Sequence, residues 1–179
     1  YYVDPATPAA LVPYIKKGVE EWQAAFFAAG FSNAIVAKDA PTKAQDPDWD
    51  PDDARVSMVR WAASLVRNAT GPHTHDPRSG EIINSEITWY HNHMRSYRNW
   101  LMMETGAANP SARTLDIPEE LMGETMRQVI THEIGHALGL DYSTDPTSVM
   151  YPFLGEKNRG LNEQDRAAIG ALYGGGMLT

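Results

Sequence analysis

Residues 131–142 read Thr131-His132-Glu133-Ile134-Gly135-His136-Ala137-Leu138-Gly139-Leu140-Asp141-Tyr142. At 3.6 residues per turn, His132 and His136 differ by about 40° in azimuth, so a helix aims both imidazoles at one spot. That supplies two of the three protein ligands a catalytic zinc ion usually takes. Glu133 follows the first histidine, where its carboxylate reaches a metal-bound water without having to ligate. The chemistry this predicts is hydrolysis. Zinc acidifies the water and polarises a carbonyl, while the glutamate takes the proton and passes it to the leaving amine. A chain of this composition shows the pattern by chance about 0.01 times, which disfavours two unrelated surface histidines.

Outward from this stretch, Met126, Val129, Ile130, Ile134, Ala137 and Leu138 recur at helical spacing. They predict a helix from Pro118 to Leu138, with its core stripe turned away from the histidines. Gly139 stands where a helix ends on a left-handed glycine. A last helix follows a loop, with Ala167, Ile169 and Leu172 inward, and ends at Gly174-Gly175-Gly176. Upstream, Leu11, Tyr14, Ile15, Val19, Trp22 and Phe26 predict one helix closed by Gly30. Strands are expected at Tyr1–Val3, Ala34–Ala37, Arg55–Trp61, Asn68–His75 and Glu81–Tyr90, the last two joined by a turn at Asp76–Gly80. A further helix is expected over 92–105, broken at Asn109-Pro110. The whole reads as one α+β domain over 1–179.

Composition removes several classes of function. The net charge is −8, with no basic stripe, which argues against nucleic acid and anionic membrane surfaces as partners. No apolar run approaches the roughly 18 residues that cross a bilayer. There are no cysteines, so disulfides, thiolate metal sites and a cysteine nucleophile are excluded. Tyr1–Pro5 show neither a basic nor an apolar leader, so a secretory signal or pro-segment would lie outside this sequence. The aspartates at 46, 48, 50, 52 and 53 lack the glycine and closing glutamate of an EF-hand and read as a solvated loop.

Residues 132–142 resemble the metzincin signature HExxHxxGxxH, with matches at His132, Glu133, His136 and Gly139. Ser148-Val149-Met150-Tyr151-Pro152 resembles the Met-turn of that clan in its matrixin form. The upstream stretches 4–23 and 71–82 resemble a bacterial family of large secreted zinc-dependent metallopeptidases. The fold this implies is a twisted five-stranded mixed sheet with three main helices around an active-site cleft. It also implies an N-terminal subdomain over 1–139 and a C-terminal one over 140–179. The activity it implies is that of a zinc-dependent endopeptidase, secreted or periplasmic and monomeric, acting on peptide or protein substrates. Glu133 would be the base, His132 and His136 the ligands, and Met150 the floor beneath the metal. Tyr151, Pro152 and Phe153 would wall the primed-side pocket, and the strand containing His73 and His75 would pair with substrate.

One position departs from the pattern: Tyr142 stands where the family places its third histidine ligand. A phenol reaches farther than an imidazole and must lose a proton with a pKa of about 10 to ligate well. Three outcomes follow: Tyr142 ligates after a backbone shift, it swings aside in favour of water or Asp141, or the site holds no zinc. The rival reading is a catalytically inactive peptide-binding module on the same scaffold, and a non-peptide amide hydrolase is a second. His75, Asp76 and His91 could mimic the matrixin structural zinc site, although surface or hydrogen-bonded roles fit them and His93 better. Asn68-Ala69-Thr70 matches a glycosylation sequon, taken as incidental.

Overall fold

The computed structural model describes residues 1–66, 68–96 and 119–174. The chain begins in strand β1 (Tyr2–Val3), which stops at Asp4-Pro5 because proline has no N–H to extend a ladder. Helices α1 (Val12–Glu20) and α2 (Gln23–Ala28) follow. Of the apolar positions anticipated for a single helix, Leu11, Ile15, Val19, Trp22 and Phe26 are buried and Tyr14 is half-buried. The helix nonetheless breaks in two at Glu21-Trp22. There, Ala24 and Ala25 bond back three residues, to Glu21 O and Trp22 O, which tightens the turn. Trp22 is fully buried at this joint, and its indole N–H donates to Thr131 O at 2.9 Å.

The sheet assembles as β2 (Lys38–Asp39), β1, β3 (Met58–Ala62) and β6 (Ile82–Tyr90), all parallel. The outer position beside β6 is filled in antiparallel sense by two short strands, β4 (Ala69–Thr70) and β5 (His73–His75). Two expectations need correction here. The strand expected at 34–37 begins only at Lys38, although Ile35 and Ala37 are buried. The strand expected from Asn68 to His75 is split at Gly71-Pro72, where proline lacks the donor a continuous ladder requires. Along β6, Ser85, Ile87 and Trp89 point into the core at every second residue, the alternation of a strand with one buried face.

Helix α3 (Glu119–Ala137) carries the histidine pair, and α4 (Glu163–Tyr173) follows a 3₁₀ turn at Glu156–Asn158. The described residues therefore hold these four helices and a shorter helical stretch, packed with a mixed sheet of five to six strands, an α+β fold. The extra helix is the divided first one. Residues 93–96 are helical, and the rest of the helix expected over 92–105 lies outside the described residues, as do Pro118, the break at Asn109-Pro110 and Gly175-Gly176. In α4, Asp165 and Ile169 face inward, while Ala167 and Leu172 lie on the exposed side. The carboxylate of Asp165 is wanted inside for the bonds described below.

The largest revision concerns α3. It is buried on both faces, because residues 126–132 are all inside, including Arg127, Gln128, Thr131 and His132. Its apolar residues pack on α1 and β6, and of its buried polar residues Thr131 and Arg127 bond to Gly18 and Glu21 while His132 and Gln128 bond to residues 149–158. The α1–α3 crossing is close at Gly18, where an added Cβ would lie 2.8 Å from Arg127 O and 3.0 Å from Ile130 Cγ2. Replacing Gly18 by alanine should therefore lower stability by about 1–2 kcal/mol. Overpacking of about 1–3 kcal/mol outweighs the gain of about 1 kcal/mol in helix propensity. A urea unfolding midpoint at or above that of the parent would show that the two helices do not approach so closely.

Candidate metal centre and active site

Helix α3 ends in a tight left-handed turn. Gly139 has φ +90°, Leu140 N–H donates to Gly135 O at 3.0 Å, and Gly139 N–H donates to His136 O at 2.9 Å. This pairing satisfies the last helical carbonyls and reverses the chain. It thereby brings Leu140 and Tyr142 back beside the histidines.

The two imidazole centroids are 4.7 Å apart with perpendicular planes. His132 Nδ1 lies 2.6 Å from Val149 O, and His136 Nδ1 lies 2.8 Å from Leu140 O. A carbonyl oxygen only accepts, so each Nδ1 carries the hydrogen and each Nε2 presents a lone pair. His136 Nε2 is buried with no hydrogen-bond partner. An orphaned imidazole nitrogen beside a second one suits a borderline-soft cation such as zinc, and the carbonyls behind both rings hold them in ligating orientation. Burial pushes the pKa of His132 down, while its bond to Val149 O works the other way. His132 is thus suited to bind as a neutral donor.

Glu133 is half-buried beside them. Burial raises its carboxyl to about 7, opposed by a backbone hydrogen bond from Gly71. A carboxylate so poised takes up and releases a proton near neutral pH. Gly71 is a site residue the sequence reading did not single out. A Cβ there would collide with the main-chain oxygen of Glu133 and sit 3.0 Å from Ile87 Cδ1. The signal was available in Gly71-Pro72 within a predicted strand, since glycine in a strand marks a close backbone approach.

Beneath the histidines, Met150 is buried, and a Cβ on Gly135 would run into its Sδ and lie 2.9 Å from Trp22 Cζ2. The turn carrying Met150 hangs from Asp165 on α4. This buried carboxylate accepts from the Ser148 hydroxyl, from Val149 N–H at 3.1 Å and from Asn162 N–H at 2.9 Å. Val149 is thus gripped at both ends, its N–H by Asp165 and its carbonyl by His132. Sequence inspection gave no cue for Asp165, because an acidic residue in a helix's first turn usually serves only the cap.

Tyr142 comes to the same place. Its ring centroid is 4.6 Å from that of His136 and 5.7 Å from that of His132, and the residue is 64% exposed. Among the described residues, no group of three or more His, Cys, Asp or Glu side chains gathers as a metal site. The side chains that meet at this point are two imidazoles and a phenol. Tyr151 and Phe153 sit together on the loop after Met150, ring centroids 5.9 Å apart, with Phe153 and Pro152 exposed. Among the described residues, His75, Asp76 and His91 do not gather as a metal site. The Asp76 carboxylate is taken by Arg78, His91 Nδ1 accepts from Ser64 N–H at 3.1 Å, and His73 and His75 lie exposed on β5. The aspartates of the acidic loop close local turns or pair with Arg55 and Arg60.

The chain matches the matrixin family over residues 45–174. Over shorter stretches it resembles matrix metalloproteinases. A probable matrix metalloproteinase 095L of Invertebrate iridescent virus 3 is 46% identical over 52 residues, 29% of this chain and 14% of that protein. Matrilysin of Homo sapiens is 41% identical over 56 residues, 30% of this chain and 21% of that protein. Matrix metalloproteinase-20 of Homo sapiens is 47% identical over 55 residues, 29% and 11% respectively. The stretches matched therefore span about a fifth or less of these relatives' lengths. With well over half of its length matched, and with the histidine pair, glutamate and methionine turn assembled around α3, the chain belongs to the matrixin family, a family of zinc metallopeptidases.

Proposed function

We propose that this chain is a zinc-dependent endopeptidase domain in which His132, His136 and Tyr142 hold the metal and Glu133 is the general base. The observation that carries this reading is the pair of imidazoles, each fixed through Nδ1 to a main-chain carbonyl, with His136 Nε2 buried and unpartnered. Bound zinc would supply Lewis acidity to a water and to the scissile carbonyl. Glu133 takes the proton from the attacking water and delivers it to the departing amine, work that suits a carboxyl held near neutrality. Tyr142 is the weakest part of the set, since its ring packs against the imidazoles and is exposed enough to pivot.

Substrate placement follows from the sheet. Strands β4 and β5 pair with β6 along one side and end the sheet on the other. An extended peptide can add its main chain to such an edge, and Gly71 sets that edge against Glu133. Among the described residues, no helix is long and apolar enough to cross a membrane. A secreted, monomeric enzyme acting on peptide or protein is the setting we infer. A peptide-binding module without catalysis has no physical need for a buried carboxyl beside the histidine pair.

Three outcomes test this reading. Glu133→Gln should keep zinc content and fold while peptide hydrolysis falls at least ~10²-fold, because the base acts in the chemical step. Rates within threefold of the parent, with contaminating protease excluded, would place the base elsewhere.

Gly71→Ala should leave zinc content unchanged, since no ligand comes from that strand, yet lower kcat/KM by about 10- to 100-fold by displacing the edge from Glu133. Parental activity in that variant would show that the edge does not need this close approach.

Tyr142→His should raise zinc affinity about 10-fold or more, because imidazole ligates as the neutral ring while phenol must first lose a proton. If the phenolate ligates in the parent, zinc binding there should also depend more steeply on pH than in the histidine variant. Chelator competition at several pH values reads both quantities. Equal affinity at every pH would mean that position 142 does not reach the metal.

A further inference from the structure

Two residues after Gly71, the outer strand makes a second contact with α3 that the proposed chemistry does not use. His73 Nδ1 lies 3.2 Å from His136 O. A carbonyl oxygen only accepts, so the imidazole N–H donates. The same oxygen takes Gly139 N–H at 2.9 Å on its other lone pair. The strand is therefore fastened to the helix at two points. At the first, the missing side chain of Gly71 lets its main chain lie against Glu133 O. At the second, the ring of His73 reaches from β5 to the last turn of the helix.

The support for β5 weakens beyond that point. Pro72, between the two fastenings, has no N–H to give. Pairing with β6 sets His73 against Ser85 and Thr74 against Asn84, then shifts register before His75, which faces Ile82. Beneath this irregular end lies an open cavity of about 720 Å³, lined by His73, His75, Ile82, Leu138, Gly139 and Leu172 among others. A strand over a void gains no dispersion contacts from below.

We propose that His73 is a positioning residue for substrate: its hydrogen bond to His136 O sets the height of β5 over the end of α3, where a peptide main chain pairs along residues 73–75 while its scissile bond lies at Glu133. The inference rests on the proposed peptide hydrolysis at His132, Glu133 and His136 and on addition of the substrate to this edge. Successive strand residues rise about 3.3 Å, which puts His73 roughly 7 Å along from Gly71. At that distance it governs bound residues beside the scissile bond and not the reacting atoms. Pairing there is made equally in the ground state and the transition state, so its loss weakens binding and spares the chemical step.

The test measures kcat and KM separately for the zinc-loaded 179-residue chain, on an octapeptide that the parent selects from a random library by cleaving it near its centre. His73→Ala should raise KM about 10-fold and leave kcat within twofold. His73→Phe, which keeps a ring but has no N–H to give, should do the same and serves if the alanine variant does not fold. His73→Asn, whose amide nitrogen takes the place of Nδ1, should return KM to within threefold of the parent. A mere loss of folded protein would instead lower the apparent kcat and leave KM unchanged. Hydrogen exchange on the zinc-free chain reads the fastening without any activity. Amides over residues 73–85 should exchange faster in the alanine and phenylalanine variants than in the parent or the asparagine variant, while α3 keeps its protection. Parental KM in both variants that lack the donor, or no rescue by asparagine, would overturn the inference and leave the peptidase reading standing. A parent that cleaves no member of the library would overturn the peptidase reading and this inference with it.

Discussion

The hydrogen bond from His132 Nδ1–H to Val149 O, 2.6 Å long and shut away from water, joins a helix of the N-terminal part to a turn of the C-terminal part. Most of the site follows from it. Burying an imidazole requires that its polar atoms be satisfied, and for Nδ1 the partner is a main-chain carbonyl. That carbonyl is itself held in place, because Val149 N–H is bonded to the buried carboxylate of Asp165, which also receives Ser148 and Asn162. A histidine, a turn and the start of a helix form one connected set. Displacing any member would leave a buried donor or acceptor without a partner.

The same constraint explains why α3 departs from an ordinary amphipathic helix. One side meets α1 and the sheet, and the other meets residues 148–159, so polar residues on both sides become internal struts. Thr131 bonds to Gly18 O and Arg127 O, Arg127 pairs with Glu21 and Glu124, and Gln128 reaches the loop at 155–158. Such groups contribute less net stability than apolar packing would, but they fix which carbonyl faces which side chain. A hydrolytic site needs that kind of positional definition more than it needs extra stability.

Close backbone approach is the other device. Gly18, Gly71 and Gly135 each stand where a Cβ would strike a neighbour: the carbonyl of Arg127, the carbonyl of Glu133 and the side chain of Met150. These three contacts set α1, the edge strand and the methionine turn against α3. Glycine's missing side chain turns the helix into a hub that three separate elements touch directly.

Local information in the chain was enough for several elements. The 3.6-residue spacing of His132 and His136 and Gly139 after them foretold a helix, a convergent imidazole pair and a left-handed end. All of these depend on neighbours within about a dozen residues. A strand over Glu81–Tyr90 was legible for the same reason. What the spacing could not show was anything set by residues distant in the chain. The break at Glu21-Trp22 arises where the Trp22 indole meets Thr131, and the split of the edge strand is linked to Gly71 pressing on Glu133. The inward turn of Asp165 answers a demand from Val149, and the carboxamides of Gln128 and Asn158 look like surface residues until α3 is seen to be covered on both faces. Periodicity records only whether a position is buried by its own element. Burial by a second element, and the hydrogen bonds that then become obligatory, exist only once the chain has folded back on itself.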